Sequence, residues 1–245
     1  MKEESLALFE KLKEKAAKAE RIVFFGGAGV STESGIPDFR SSSGLYRSEE
    51  NGRRPEYLLS HTCLVSEPEL FFDFYRKKML YPAAKPNKAH FALARAEKAG
   101  KLTAVITQNI DGLHSEAGNE KVFELHGSVK RNYCSSCGKS FPADHIEKSE
   151  GVPLCPVCGG LIRPDVVLYE EPLDEELVDY AVEEIGRADL LIAGGTSLTV
   201  QPAASLVSCF SGETLALVNY SETPFDANFD LVLHESVGEI LDLLF

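Results

Sequence analysis

The sequence predicts an α/β protein: a doubly wound, parallel, Rossmann-like sheet carrying an inserted small domain. Three observations predict it. Short apolar runs alternate with amphipathic segments along most of the chain, the pattern of strand–helix repeats in a parallel sheet. Several of those runs open at their carboxyl ends onto glycine- or amide-rich loops, where open parallel sheets hold ligands. And Cys134, Cys137, Cys155 and Cys158 stand as C-x2-C-x17-C-x2-C, the spacing of a small metal-bound insert.

Composition sets the outer bounds. The chain has 245 residues, 44% hydrophobic and 26% charged, ordinary globular material with room for one α/β domain and an insert. No apolar run approaches the ~20 residues of a membrane span, and the charged start Met1-Lys-Glu-Glu is unlike a secretory leader, so a cytoplasmic protein without membrane contact is expected. A net charge of −13 argues against phosphate-backbone binding, so no nucleic-acid partner is expected. It favours a cationic partner such as a Lys-rich peptide, although solubility alone accounts for it equally well. Cys63 and Cys209 stand apart from the other four cysteines and read as small buried hydrophobes.

The elements follow in order. Leu6, Phe9, Leu12 and Ala16 fall at helical spacing, so residues 5–19 read as an amphipathic helix with Ser5 as N-cap. Residues 22–25, Ile-Val-Phe-Phe, read as a buried strand that runs into the glycine-rich stretch 26–40. Gly27 and Gly29 lack a Cβ, so a diphosphate can approach the backbone N–H groups there. A dehydrogenase fingerprint would need a third glycine where Thr32 stands, and Gly35 and Pro37 block a clean helix. The loop is suited to grip a dinucleotide, not to run hydride transfer.

Residues 41–85 read as a helical module over the nucleotide site. It opens on a loop at 41–46 and contains a helix from Pro68 to Tyr75, with Phe71 and Phe74 as core. A helix over 89–99 follows, stopped by Gly100, with His90 structural. Strand 102–107 delivers Gln108, Asn109 and Asp111, side chains able to contact a ribose or an amide; for Asp111 an Asx turn capping the next helix is an equal explanation. His114 fits a surface or capping position as well as a site, so it is assigned no role. Strand 122–125 ends at His126, followed by the permissive Gly127. With polar loops converging on the same edge, an imidazole there reads as a general base.

The four cysteines close a tetrahedron with no position left for water, so the expected zinc is structural. Disulfides or a redox pair suit a cytoplasmic chain less well. Residues 162–169 are extended and apolar, either a connecting strand or an edge for an incoming peptide. Helix 174–186 carries Leu177, Val178, Ala181, Val182 and Ile185 on one face. Strand 190–193 opens on Gly194-Gly-Thr-Ser-Leu198, suited to phosphate or ribose hydroxyls. A helix at 202–210, strand 214–218 ending at Asn219, strand 231–233 and helix 237–244 complete the chain.

These motifs together resemble the sirtuin family, the NAD-dependent protein-lysine deacylases. The resemblance is carried by Gly27-Ala-Gly-Val-Ser31, Gly35-Ile-Pro-Asp-Phe-Arg40, Thr107-Gln-Asn-Ile-Asp111, Leu125-His-Gly127, the four cysteines, Gly195-Thr-Ser197 and Val218-Asn219, in the family's order. It implies one catalytic domain over 1–245. Its Rossmann-like part would comprise 1–40, 86–130 and 164–245, with a helical module at 41–85 and a zinc ribbon at 131–163. It implies that Ala28, Thr32, Phe39 and Arg40 line the NAD site and that Gln108, Asn109, Ile110 and Asp111 hold nicotinamide and its ribose. Thr196, Ser197, Asn219, Tyr220 and Val237 would hold the adenosine end. His126 would be the base, one zinc would sit on the cysteines, and Val166, Val167, Leu168 and Tyr169 would pair with an acyl-lysine peptide.

The implied reaction uses NAD as co-substrate. The acyl-lysine oxygen attacks ribose C1′ as nicotinamide leaves, and O-acyl-ADP-ribose is formed. Nicotinamide leaves as a neutral molecule from a cationic state, so orientation, a dry pocket and one base suffice. A mono-ADP-ribosyltransferase and a non-catalytic NAD or ADP-ribose-binding module are the competing readings. A monomer is expected. Two departures stand out. Glu170-Glu171 replaces the Gly-Glu frequent in the family, and Tyr75 and Lys78 fall near the Tyr-x-x-Arg pair of acid-acyl-selective relatives. Lys78 cannot grip a carboxylate in bidentate fashion, so plain acetyl-lysine is expected.

Overall fold

The computed structural model describes residues 3–38 and 52–245. Helix α1 (Glu3–Lys18) leads into β1 (Ile22–Gly26) and two short 3₁₀ turns, Ala28–Val30 and Thr32–Ser34. Helices α2 (Pro55–Leu58), α3 (His61–Ser66), α4 (Pro68–Lys78) and α5 (Lys88–Lys98) precede β2 (Leu102–Thr107). Then come α6 (Leu113–Glu116), β3 (Val122–Glu124), β4 (Gly127–Cys134), β5 (Ser140–Pro142), α7 (Asp144–Lys148) and β6 (Ile162–Val166). The chain ends with α8 (Glu175–Gly186), β7 (Leu190–Gly194), a 3₁₀ stretch Ala203–Cys209, β8 (Thr214–Val218), β9 (Leu231–Leu233) and α9 (Val237–Leu244).

The main sheet has six parallel strands in the order β3-β2-β1-β7-β8-β9. The chain winds outward from β1 in one direction, then restarts at β7 and winds outward in the other. Such a reversal leaves a crevice at the carboxyl ends of the two central strands. β1 shows why the sheet forms. Its side chains alternate between faces, Ile22 and Phe24 joining the core under α1, α5 and α9, Val23 and Phe25 the core under α8. All four are fully buried, so neither face carries a polar residue. Burying each stabilises by roughly 1.5–3 kcal/mol, and a Phe24→Ala cavity would cost about 3–5 kcal/mol.

A second sheet, β5-β4-β6, is antiparallel and carries the cysteines. It shares one hydrophobic cluster with the helical segment: Leu58, Leu64, Phe71, Phe72, Phe74 and Tyr75 pack with Cys134, Ile146, Cys155 and Ile162. Arg76 fastens the two, donating to the Ile146 carbonyl at 2.9 Å and to Ser149 Oγ at 2.8 Å.

Some expectations are corrected. Helix α1 begins at Glu3, so Ser5 lies inside it and is no cap, and Leu6 points to solvent while Phe9, Leu12 and Ala16 are buried. The segment at 203–209 is 3₁₀ rather than α. Cys63 is buried as expected, but Cys209 is exposed. His114 is fully buried, its ring 4.7 Å from that of His90. The 41–46 loop lies outside the described residues.

Candidate active site

Two glycine loops meet at the crevice. The Gly27 N–H donates to the Gly194 carbonyl at 3.2 Å, the Gly29 N–H to Gly195 at 2.8 Å, and the Gly195 N–H to Val218 at 3.1 Å. A Cβ on Gly29 would stand 2.8 Å from Gly195 Cα, and one on Gly195 (φ +61°) would stand 2.4 Å from Val30 N. The sequence predicts this space for a diphosphate. In the structure each loop's missing side chains first make room for the other loop.

Around this joint a polar network is built from three elements. Ser31, buried, donates from Oγ to Asp111 Oδ2 at 2.7 Å and accepts from Asn109 Nδ2 at 3.0 Å. Asp111 Oδ1 accepts from the Leu113 N–H at 2.9 Å, so the carboxylate also caps α6, as the Asx-turn reading allowed. No role for Ser31 is predicted from the sequence. Its signal was a hydroxyl on the glycine loop facing a strand end that carries an amide and an acid.

His126 follows β3. Its Nδ1 lies 2.9 Å from the Gln108 carbonyl. Gly127 has φ +73°, and a Cβ there would lie 2.1 Å from the Asp165 carbonyl, so only glycine lets β4 turn away from His126 beside β6. Burial holds the His126 pKa below the ordinary histidine value, and the Gln108 carbonyl partly offsets this.

One cavity of about 930 Å³ joins these parts. Ala28, Thr32, Gln108, Asn109, Ile110, Asp111, His126, Thr196, Ser197, Asn219, Tyr220 and Val237 line it, together with Val166, Val167, Leu168 and Tyr169. Phe39 and Arg40 lie outside the described residues. Ser31, Glu33, Tyr75 and Lys78 also line it. The size lies in the range of small-molecule sites. Among the described residues the buried Gln108 Nε2 has no partner, which leaves an amide donor for a ligand hydroxyl. An NAD molecule fits such a lining, with glycine loops, hydroxyls and amides beside the carboxylate of Asp111.

Residues 166–169 form part of the cavity wall. Their N–H groups are largely committed within the chain: Val167 donates to His126 O at 3.0 Å, Leu168 to Glu171 Oε2 at 2.9 Å, and Tyr169 to Leu59 O at 3.1 Å. Glu171 is itself gripped by Arg163 through Nη1 at 2.6 Å and Nη2 at 2.8 Å. Burial of Glu171 would raise its pKa, yet the Arg163 fork, the Leu168 N–H and His61 bring it down to about 2. The carboxylate therefore stays charged and fixes the wall.

The four cysteine sulfurs lie within 4.8 Å of one another, with Cys134 and Cys158 3.4 Å apart and Cys137 and Cys155 3.8 Å apart. Tetrahedral Zn–S bonds of about 2.3 Å place sulfurs about 3.8 Å apart, so the set fits zinc. The N–H groups of Gly138 and Gly159 close the two turns onto Cys134 O at 3.0 Å and Cys155 O at 2.8 Å, at φ +70° and +73°. These are the tight turns expected of those glycines.

Sheet order, crevice, cavity and cysteine cluster define a dinucleotide-binding α/β protein with a metal-binding insert. A family model described as the Sir2 family matches residues 27–202. A protein of Clostridium acetobutylicum named NAD-dependent protein deacetylase is 54% identical over 233 residues, 94% of this chain and 95% of the relative. A solved Sir2 structure described with deacetylated p53 peptide and 3′-O-acetyl ADP-ribose superposes with a TM-score of 0.88 at 40% identity, covering 95% of each chain. Another, described as Sir2 with p53 peptide and NAD⁺, gives a TM-score of 0.85 at 40% identity over 96% of each chain. The chain belongs to the Sir2 family, the sirtuins.

Proposed function

We propose that this chain is an NAD-dependent protein-lysine deacetylase in which His126 is the catalytic base and the cavity of about 930 Å³ holds both NAD and the acetyl-lysine. The observation that carries the reading is the shared cavity. Both glycine loops, the Gln108–Asp111 segment, His126 and the 166–169 wall open onto one space. Bound NAD supplies an electrophilic ribose carbon and a leaving group, nicotinamide.

The chain's own groups do the rest. The Gln108 carbonyl accepts from Nδ1 of His126, which leaves Nε2 as the base for a ribose hydroxyl. Asn109 and Asp111, fixed by Ser31, face nicotinamide and its ribose. Thr196, Ser197, Asn219, Tyr220 and Val237 take the adenosine end, with Ala28 and Thr32 on the loop between. Val166, Val167, Leu168 and Tyr169 receive the peptide, and apolar neighbours such as Ile110 and Leu168 exclude water from the reacting carbon. The zinc is structural. The parts work as one catalytic domain: a Rossmann-like part at 1–40, 86–130 and 164–245, a helical module at 41–85 and a ribbon at 131–163. Among the described residues no helix is long and apolar enough to cross a membrane. Four clustered thiols suit the reducing cytoplasm.

The test is a peptide panel. Incubated with NAD, an acetyl-lysine peptide should lose its acetyl group while nicotinamide and O-acetyl-ADP-ribose appear in equimolar amounts, as read by mass spectrometry. ADP-ribose attached to protein without deacetylation would mark a transferase instead, and NAD binding with no turnover a binding module.

A further inference from the structure

Three side chains on the turn at 31–34 fasten it to three separate parts of the molecule. Ser31 bonds Asp111, as described. Ser34 Oγ accepts from Asn87 Nδ2 at 2.9 Å, and the same amide donates to the Val30 carbonyl at 2.8 Å. Glu33 Oε1 accepts from Ser236 Oγ at 2.5 Å. This third link has no part in the chemistry above. Ser236 is the N-cap of α9, and its Oγ also accepts from the Glu239 N–H at 3.2 Å. Its single hydroxyl proton is therefore committed to Glu33. Gly238 lies in the first turn of α9, and a Cβ there would stand 2.5 Å from Glu33 Oε2 and 2.9 Å from its Cδ. The carboxylate occupies the space that any side chain at 238 would fill, over the positive end of the helix.

We propose that Glu33 is a positioning residue for NAD: through Ser236 and the seat left open by Gly238 it fastens the glycine turn to the start of α9. Ala28 and Thr32 lie on one side of this joint and Val237 on the other, and all three line the cavity. The joint sets the distance between the wall facing the middle of the dinucleotide and the wall facing its adenosine end. The inference rests on the reading of this cavity as the NAD site.

The test is a double-mutant cycle on Glu33→Ala and Gly238→Ala, read by calorimetric titration with NAD and with ADP-ribose and by steady-state kinetics. Alanine is the better helix former, so Gly238→Ala should keep or raise the melting temperature while pushing the flexible carboxylate aside. Each single variant should weaken NAD and ADP-ribose binding, and raise the KM for NAD, by roughly three- to tenfold, with kcat and the KM for peptide within about twofold. The double variant should bind no worse than Glu33→Ala alone, because the methyl group then has nothing to displace. Glu33→Gln, which keeps an acceptor for Ser236, should recover most of the affinity. Additive losses in the cycle, a fall in kcat and melting temperature without loss of NAD affinity, or unchanged affinity in both single variants would overturn the proposal. Wild-type protein that fails to bind NAD would instead sink the proposed function, and the inference with it.

Discussion

The Nδ1 atom of His126 stands 2.9 Å from the carbonyl oxygen of Gln108. A carbonyl can only accept, so neutral His126 carries its proton on Nδ1 and keeps Nε2 free as an acceptor. Burial lowers the pKa of His126 below its ordinary value of 6.5, against the pull of the Gln108 carbonyl. The proposed base is thus unprotonated at neutral pH. The acid limb of kcat/KM against pH should have its midpoint below 6.5, with activity lost as pH falls through it. His126→Ala should lower kcat by about 10²- to 10⁴-fold while calorimetry shows NAD still bound.

Acid should also loosen the fold, through two other histidines. His90 accepts the Asn87 N–H at the start of α5, and His114 lies against it in the core. Burial pushes His90 down to about 4, with Asp111 and Glu33 opposing, and burial together with His90 pushes His114 well below 6.5. In the unfolded chain both imidazoles take up protons near 6.5, whereas the folded chain takes them up only at lower pH. The unfolded state then holds more protons, so stability is full above about pH 6.5 and falls below it, by up to about 1.4 kcal/mol per pH unit for each histidine. Denaturant unfolding followed by circular dichroism from pH 7 to 5 should show the decline. His114→Leu, of similar volume, should flatten it.

Much of this was legible in the sequence, for a physical reason. β1, β2, β7 and β8 are buried on both faces, so they appear as unbroken apolar runs, and ligand-facing loops must follow at their carboxyl ends. The cysteine spacing is local and needed no tertiary information. What escaped depended on distant packing. His114 looks like a turn residue until α5 and β1 are seen closing over it. Leu6 has the period of its neighbours, yet the core ends before it reaches that turn of α1. The link from Glu33 to Ser236 spans most of the chain, and nothing in either neighbourhood announces it.

Metal removal should damage more than the ribbon. Cys134 and Cys155 belong to the cluster that buries Phe71, Phe72 and Tyr75, so loss of zinc releases the helical segment as well as the cysteine turns. Chelation or Cys134→Ala should lower the melting temperature by roughly 10 °C or more and abolish deacetylation, although no NAD-facing residue is changed. Metal analysis of the intact protein should find one zinc per chain. Unaltered melting after complete zinc removal would contradict a structural metal.

Glu170 stands where the family often has glycine, and its φ is +75°, a left-handed conformation that side chains rarely adopt. The structure shows what keeps it there. Its carboxylate accepts from the Thr62 N–H at 2.9 Å and from Thr62 Oγ1 at 2.7 Å, at the start of α3, and these bonds lower its pKa. The same turn holds Tyr169, whose N–H and carbonyl bond Leu59 and His61, in the wall proposed to receive the peptide. Backbone strain and capping bonds therefore oppose each other at one residue. Glu170→Gly gives up the bonds but also the strain, and should leave thermal stability close to wild type. Glu170→Ala gives up the bonds and keeps the strain, so it should be the less stable of the two, with a higher KM for peptide and an unchanged KM for NAD. Melting curves and peptide kinetics on the pair decide the matter: equal stability of the two variants would mean that the left-handed backbone carries no strain here.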